Sequence, residues 1–558
     1  MNSQKDYLSI RALEQTVDNH FQRTRELLSS GSEIKISMLS ESYFKMFSSL
    51  HRKVADSKVV DVSALSYSLN RLPEVIFKTG KIILAQNKKD FVRAGIDISA
   101  SEEVFAKDRR RRSYFDPKKL VLACFTASQS DIDDLVNVVL IFQIEVGKII
   151  NLLSGKEKKF IKKEQFSWLG INENEWLRLK SALGDNWQKK VLSLKEKKID
   201  MGIVLAGASQ VGYRQVAQKW WSEVSGRFFY SQDRPMYFIS SNLHCLTNII
   251  GGFARKKQLD IFAYIEKNHP QLHREWLNVV AGKNQIRIND LLYYLSKLYF
   301  KADPEANKEK IAYEENLGIK TLRLSGPLAC DLQLIPVSAI ANSSSIDPNL
   351  KITRQKKIFN SKALILNVEY PLGRAGYYLL GEVMENLSQI KGVYIIGKAA
   401  ILSGSVGDVQ IPCVVFDETT DRMFFLDNIF NRELSQNSFS GEILKNQKSI
   451  SVRGTILENQ QQLKRYHQAG FNIIEMESGP YLSALSESQK GVNFSPGKTC
   501  HLDKLLFEVG IINYASDNPF EEKNLGDAAL GLEGVESTYL AGISALQRII
   551  SKEERVIN

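Results

Sequence analysis

The chain has 558 residues, of which 43% are hydrophobic and 25% charged, the balance of ordinary globular material and too much of it for one core. Its net charge of +11 and pI near 9.1 admit a polyanionic partner without requiring one. No run of ~18 uninterrupted apolar residues marks a membrane span, the mixed N-terminus MNSQKDYLSIRALEQTVDNHF has no signal-peptide core, and a cytoplasmic protein is expected. Five scattered cysteines and seven dispersed histidines give no CxxC, HExxH or mixed cluster, so neither a disulfide framework nor a zinc site is expected.

Residues 1–165 read as a helical domain. Ser63–Leu72 and Ile132–Leu153 carry apolar residues at helical spacing with little Gly or Pro. The acids opening Asp131–Leu153 suit the N-terminus of a buried helix. The basic run Lys107–Arg112, with Tyr114 and Phe115 behind it, could serve a nucleic acid, but a solvated surface is the favoured reading and nucleic acid is not expected as a partner. A Lys-rich connector, Gly155–Lys163, is the first boundary.

Residues 166–350 read as an α/β middle region. Met201–Gly207 and Pro235–Ser241 are strands, each followed by a helical stretch, and Lys320–Ser325 and Leu332–Ile340 are two more. Gly207-Ala-Ser-Gln-Val-Gly212 has the glycine spacing of a P-loop, but Tyr213 and Arg214 stand where Lys and Ser or Thr are needed, which excludes an ATPase site. A looser anion site at the helix N-terminus and a plain strand-to-helix turn both stay open. The polar connector Ala341–Pro348 is the second boundary.

Residues 351–558 alternate strand and helix: Ala363–Tyr370, Gly376–Leu387, Gly392–Ile396, Gln460–Ala469, Asn472–Met476, Ile511–Ala515 and a closing helix Gly534–Ile550. Gly373-Arg374 after the first strand suits either a phosphate or carboxylate site or a capped turn. Ile473-Ile-Glu475-Met476-Glu477-Ser478 runs two carboxylates out of an apolar strand, and Ile511–Asp517 ends another such strand in an acid. Buried strand ends carry acids at a cost unless they bind something there, and that edge is where open α/β sheets place ligands. The pair makes an acid/base constellation, with helix capping by Ser478 or Asp517 as the alternative.

These residues resemble the nucleoside phosphorylase and nucleosidase superfamily: Glu475-Met476-Glu477-Ser478, then Ser516-Asp517 some forty residues on, preceded by Ile396-Gly397-Lys398-Ala399-Ala400 and Val406-Gly407-Asp408-Val409-Gln410-Ile411-Pro412. The resemblance covers roughly 360–555. More loosely, the whole chain resembles a bacterial family of uncharacterised proteins that share this C-terminal domain. The superfamily implies a three-layer α/β domain that cleaves an N-glycosidic bond of a nucleoside or nucleotide by phosphorolysis or hydrolysis. It implies no metal or organic cofactor, with inorganic phosphate as a candidate co-substrate, and admits a homo-oligomer. Residue by residue, Asp517 would donate to the purine ring and Glu477 would hold the ribose hydroxyls. Met476 would pack on the sugar, Ser516 would orient the acid, and Glu475, Gly397, Gly373 and Arg374 would line the pocket. Lys398, where the family carries Ser or Thr, would favour an anionic ligand. The alternative is a non-catalytic nucleotide-binding regulator with a helical protein-interaction domain.

Overall fold

The computed structural model describes residues 2–154, 166–194, 200–227, 234–283, 286–324, 326–434, 439–454, 458–488, 499–503, 505–520 and 532–556. The Gly155–Lys163 connector lies outside them. Two sheets organise the chain.

The first sheet has six strands: β1 (Ile34–Lys35), β2 (Lys81–Ala85), β3 (Glu102–Val104), β4 (Ser113–Asp116), β5 (Val121–Phe125) and β6 (Gly202–Leu205), in the order β1-β6-β2-β5-β4-β3. β6, β2 and β5 are parallel, and they are short, almost wholly buried apolar runs covered on both faces. Residues 1–165 are therefore not a helical domain, and Met201–Gly207 does not open a separate middle region: it is the strand that completes the N-terminal sheet. Apolar runs of four or five residues carry no periodicity that separates strand from helix, and the pairing that defines them is non-local. The helix Gln129–Leu153 is long and apolar enough to cross a membrane, but 72% of its most apolar window is buried inside the protein, where it forms the spine of the N-terminal core.

The second sheet has eleven strands: β7 (Met236–Ser240), β8 (Lys320–Leu322), β9 (Leu332–Pro336), β10 (Leu364–Val368), β11 (Ile390–Ile401), β12 (Val409–Asp417), β13 (Arg422–Phe425), β14 (Ile443–Ser451), β15 (Ile473–Glu475), β16 (Thr499–His501) and β17 (Glu508–Asp517). β7 lies between β10 and β11, so the strands of the expected middle region after Gly207 belong to the C-terminal sheet, while its helices Glu173–Leu183 and Trp187–Leu194 pack in the N-terminal core. Ala341–Pro348 is likewise no linker: Asp347 is fully buried and accepts the Tyr293 hydroxyl at 2.8 Å. Helices cover both faces. Cys245–Gly251, Ile288–Ala302 and Val535–Arg555 pack on one, and Ala375–Asn386, Ser478–Glu487 and Gln210–Arg227 on the other. β11, β17, β12, β14 and β15 pair successively and close on themselves as a ring.

The two halves meet at the carboxyl ends of their strands. Ser130, in the first turn of the Gln129–Leu153 helix, accepts the backbone N–H of Arg374 at 3.0 Å. Asn459 Nδ2 donates to Met46 O at 2.8 Å, and Arg52 to Pro519 O at 2.8 Å. The four arginines of the basic run are engaged within the chain. Arg110 pairs with Glu369 at 3.1 Å across the seam, Arg111 with buried Asp131 at 2.9 Å, and Arg112 with Glu103. Arg109 donates to Phe125 O at 3.2 Å.

Candidate functional site

β12, β14 and β15 run parallel and end together, with Asp417, Ser451 and Glu475 in one rung. Charged residues follow each: Glu418, Arg453 and Glu477. Glu475 itself turns inward. Its carboxylate accepts the N–H of Glu477 at 2.7 Å, the N–H of Ser478 at 2.6 Å and the hydroxyl of Ser451. It thus satisfies two donors at the start of the Ser478–Glu487 helix, where a negative charge also meets the favourable end of the helix dipole. Capping does occur at this motif, but by Glu475 rather than by Ser478 or Asp517. Glu475 is accordingly not placed to line a pocket.

Glu477, partly exposed, sits just beyond. Burial and the neighbouring Glu475 charge push its carboxyl up to about 8, against the pull of the Gly373 N–H, the Met476 backbone and the Lys398 ammonium. The motif residues from three separate strands therefore converge. Gly373 adopts φ +50, and a Cβ there would lie 2.6 Å from Ser130 Oγ and 3.6 Å from Met476 Cε. Gly373, Met476, Glu477 and Lys398 share one locality. The Arg374 guanidinium interacts with the Tyr378 hydroxyl.

The central strand is open beside them. β7 pairs with β11 as far as Ile395, and β15 takes up the same side only from Ala400. Among the described residues no strand pairs with residues 396–399 on that side, and within this gap Gly397 is half-buried and Lys398 exposed. Tyr370 packs 3.9 Å from where a Cβ on Gly397 would stand. On the other side, β17 follows β11 in parallel register until a bulge. Ala399 pairs with Ala515, but Ala400 pairs with Asp517. Ser516 is the extra residue, its hydroxyl lying 3.1 Å from Ala399 O and 2.9 Å from Asp517 Oδ2. Without the bulge, alternation would send Asp517 to the far face; with it, Asp517 shares the face of Lys398 and Ala400. Because Ile474 and Asp517 flank Ala400, the two acid-bearing strands stand two strand spacings apart, roughly 10 Å.

Sequence reading missed Arg453 and Glu418. Arg453 lies in Ile450-Ser-Val-Arg-Gly454, which looks like a strand end with a surface turn; only the register with β15 brings it level with Glu477. Glu418 is held by the Tyr466 hydroxyl at 2.5 Å and the Arg453 N–H at 3.3 Å, and burial raises its carboxyl.

Two other motifs fall elsewhere. The Gly207–Gly212 turn is filled by the protein itself: Cβ atoms on its two glycines would meet Asp90 Oδ2 and Gln86 Oε1 at 2.3 and 2.0 Å. A carboxylate already stands where an anion would bind. The Gly404–Asp408 turn lines a separate surface cleft of 1480 Å³ with Arg274, Asn278 and Lys283, and Asp408 there accepts the N–H groups of Ser405 and Glu442 at 2.7 and 2.9 Å. Among the described residues no group of His, Cys, Asp and Glu is arranged to hold a metal ion.

Comparison with solved structures finds partial similarities. The 5′-methylthioadenosine/S-adenosylhomocysteine nucleosidase of S. pneumoniae is 14% identical, over 42% of this chain and 94% of its own, with a TM-score of 0.27. The purine nucleoside phosphorylase of Toxoplasma gondii is 12% identical, over 44% and 89%, with a TM-score of 0.26. The P. knowlesi homologue of P. falciparum PNP is 14% identical, over 42% and 81%, with a TM-score of 0.27. No curated protein sequence is detectably similar. One family model spans residues 36–551 and so takes in the second sheet and all of the first but β1: the chain belongs to a family of unknown function, DUF6909.

Proposed function

We propose that the seam-facing edge of the second sheet binds a nucleoside-type ligand and cleaves its N-glycosidic bond. The observation that carries this reading is the β17 bulge, which turns Asp517 onto the face of Lys398 while Glu477 and Met476 arrive from β15 on the other side of the same strand. In this reading Asp517 donates a proton to the ring nitrogen of the base. The C–N bond then breaks with its electron pair passing to the base, and water or phosphate adds to the sugar carbon. Such proton transfer is typically worth ~10²–10⁴-fold. Glu477 and Met476 hold the sugar hydroxyls and sugar face, Ser516 orients the acid, and Lys398 faces an anionic substituent. The chemistry calls for no metal or organic cofactor.

Glu477 qualifies the assignment in one respect. Burial and the Glu475 charge raise its carboxyl to about 8, so in the unliganded chain it favours the protonated form, which can donate a hydrogen bond as well as accept one. The test is release of free base from a panel of nucleosides and nucleotides, with and without phosphate, by the full chain and by Asp517→Asn. Release by the full chain, strongly reduced in the variant, supports the reading. Binding without release by either protein favours a regulatory module instead.

A further inference from the structure

Arg453 stands two residues beyond the Ser451–Glu475 rung, level with Glu477. Its side chain reaches across the seam. Nη1 donates to Asp18 at 3.0 Å, Nη2 donates to Glu418 O at 3.2 Å, and the guanidinium lies 5.3 Å from the centroid of the Phe21 ring. Arg25 approaches the same ring at 5.9 Å and pairs with Asp133 at 3.6 Å. Two guanidiniums from different halves of the chain thus meet at one buried aromatic ring beside the candidate site.

Their counter-ions differ. The Asp133 side chain is 4% exposed, whereas that of Asp18 is 66% exposed and that of Arg453 28%. An exposed ion pair contributes little to stability, so a better-matched anion can replace it. A guanidinium fork matches a phosphate in two parallel hydrogen bonds, and a phosphate brings more charge than a carboxylate. The other acids near Arg453 are Glu418, Glu458 and Asp133, and burial raises the carboxyls of all three.

We propose that Arg453 recognises a phosphate group at this site, and that Asp18 of the Asn2–Ser29 helix holds its place in the unliganded chain. The proposal rests on the nucleoside reading only for the remainder of the ligand; the phosphate is either a substituent of a nucleotide or free phosphate. In both cases it takes over the guanidinium from the Asp18 carboxylate, so ligand binding opens a contact between the two halves.

The experiment titrates inorganic phosphate, adenosine 5′-monophosphate and adenosine into the full chain, Asp18→Asn, Arg453→Lys and Arg453→Gln by calorimetry. Asp18 is exposed, so its variant keeps the fold. Removing the competing charge should tighten the phosphate-bearing probes about fivefold and leave adenosine unchanged. Arg453→Gln should weaken the same probes at least about tenfold, with Arg453→Lys in between. Tightening of both phosphate probes marks free phosphate as sufficient; tightening of the monophosphate alone marks a nucleotide. Unchanged affinities in Asp18→Asn, equal shifts for adenosine and its monophosphate, or no binding of either phosphate probe would overturn the proposal. Phosphate binding that follows Arg453 while adenosine fails to bind would sink the nucleoside reading and leave Arg453 in its role.

Discussion

Ser130 and Arg374 belong to opposite halves of the chain, and the hydroxyl of the first accepts the backbone N–H of the second at 3.0 Å. That bond holds the turn in which Gly373, at φ +50, presents its N–H to Glu477. The N-terminal half is therefore part of the frame of the site. Gly373→Ala should be damaging on two counts, a left-handed backbone and a Cβ placed 2.6 Å from Ser130 Oγ and 2.9 Å from Ser130 Cβ. A loss of roughly 1–3 kcal/mol is expected. Ser130→Gly should recover part of it, so that the two substitutions are non-additive in a double-mutant cycle followed by urea unfolding. Strict additivity would show that the two residues do not share this contact.

Glu475→Ala should destabilise the fold by about 1–3 kcal/mol, because it leaves two backbone donors and a serine hydroxyl without their buried acceptor. Glu475→Gln keeps one carbonyl acceptor and should lose less. Chemical denaturation of the two variants checks the order. Equal stability of all three proteins would mean that Glu475 does not cap the Ser478–Glu487 helix.

Glu477 makes stability depend on pH in a definite direction. Its folded-state carboxyl titrates near 8, well above the ordinary 4.5. As pH rises from 4.5 to 8 the unfolded chain releases this proton while the folded chain retains it, so stability drains away across that window and levels off above it. Glu477→Gln carries no such proton. Its melting temperature relative to the parent should climb between pH 5 and pH 8.5, and a flat difference would refute the raised value.

The strand ends at which the candidate site is proposed were legible because Glu475-Met476-Glu477 and Ser516-Asp517 both leave uninterrupted apolar runs, and charge at a buried strand end is a local signal. What Glu475 does was not legible, since lining a pocket and capping a helix require the same residue at the same place. The bulge was hidden as well: Ser516 looks like one more strand residue, and only the partner strand shows that it is extra. Arg453 and Asp18 lie 435 positions apart in sequence. The N-terminal sheet was missed for a related reason: β2 and β5 are five-residue apolar runs, and β2 is a strand by virtue of pairing with β5 on one side and with β6, some 120 residues further on, on the other.

Asp517→Asn should lower turnover by ~10²–10⁴-fold with little loss of ligand affinity, because the amide keeps the shape but cannot supply an acidic proton. Glu477→Ala, which removes both the donor and the acceptor at the sugar hydroxyls, should weaken both rate and binding. Single-turnover rates and equilibrium affinities measured together separate the two effects, and full activity in Asp517→Asn would remove that residue from the mechanism.

The most direct measurement is a crystal structure of the full chain with a bound nucleoside. The sugar is expected between Glu477 and Met476, with the base on the side of Asp517, over the stretch of β11 between Ile395 and Ala400 that no described strand pairs with on that side. A nucleoside found instead in the cleft beside Arg274, Lys283 and the Gly404–Asp408 turn, or no bound nucleoside at saturating concentration, would contradict it.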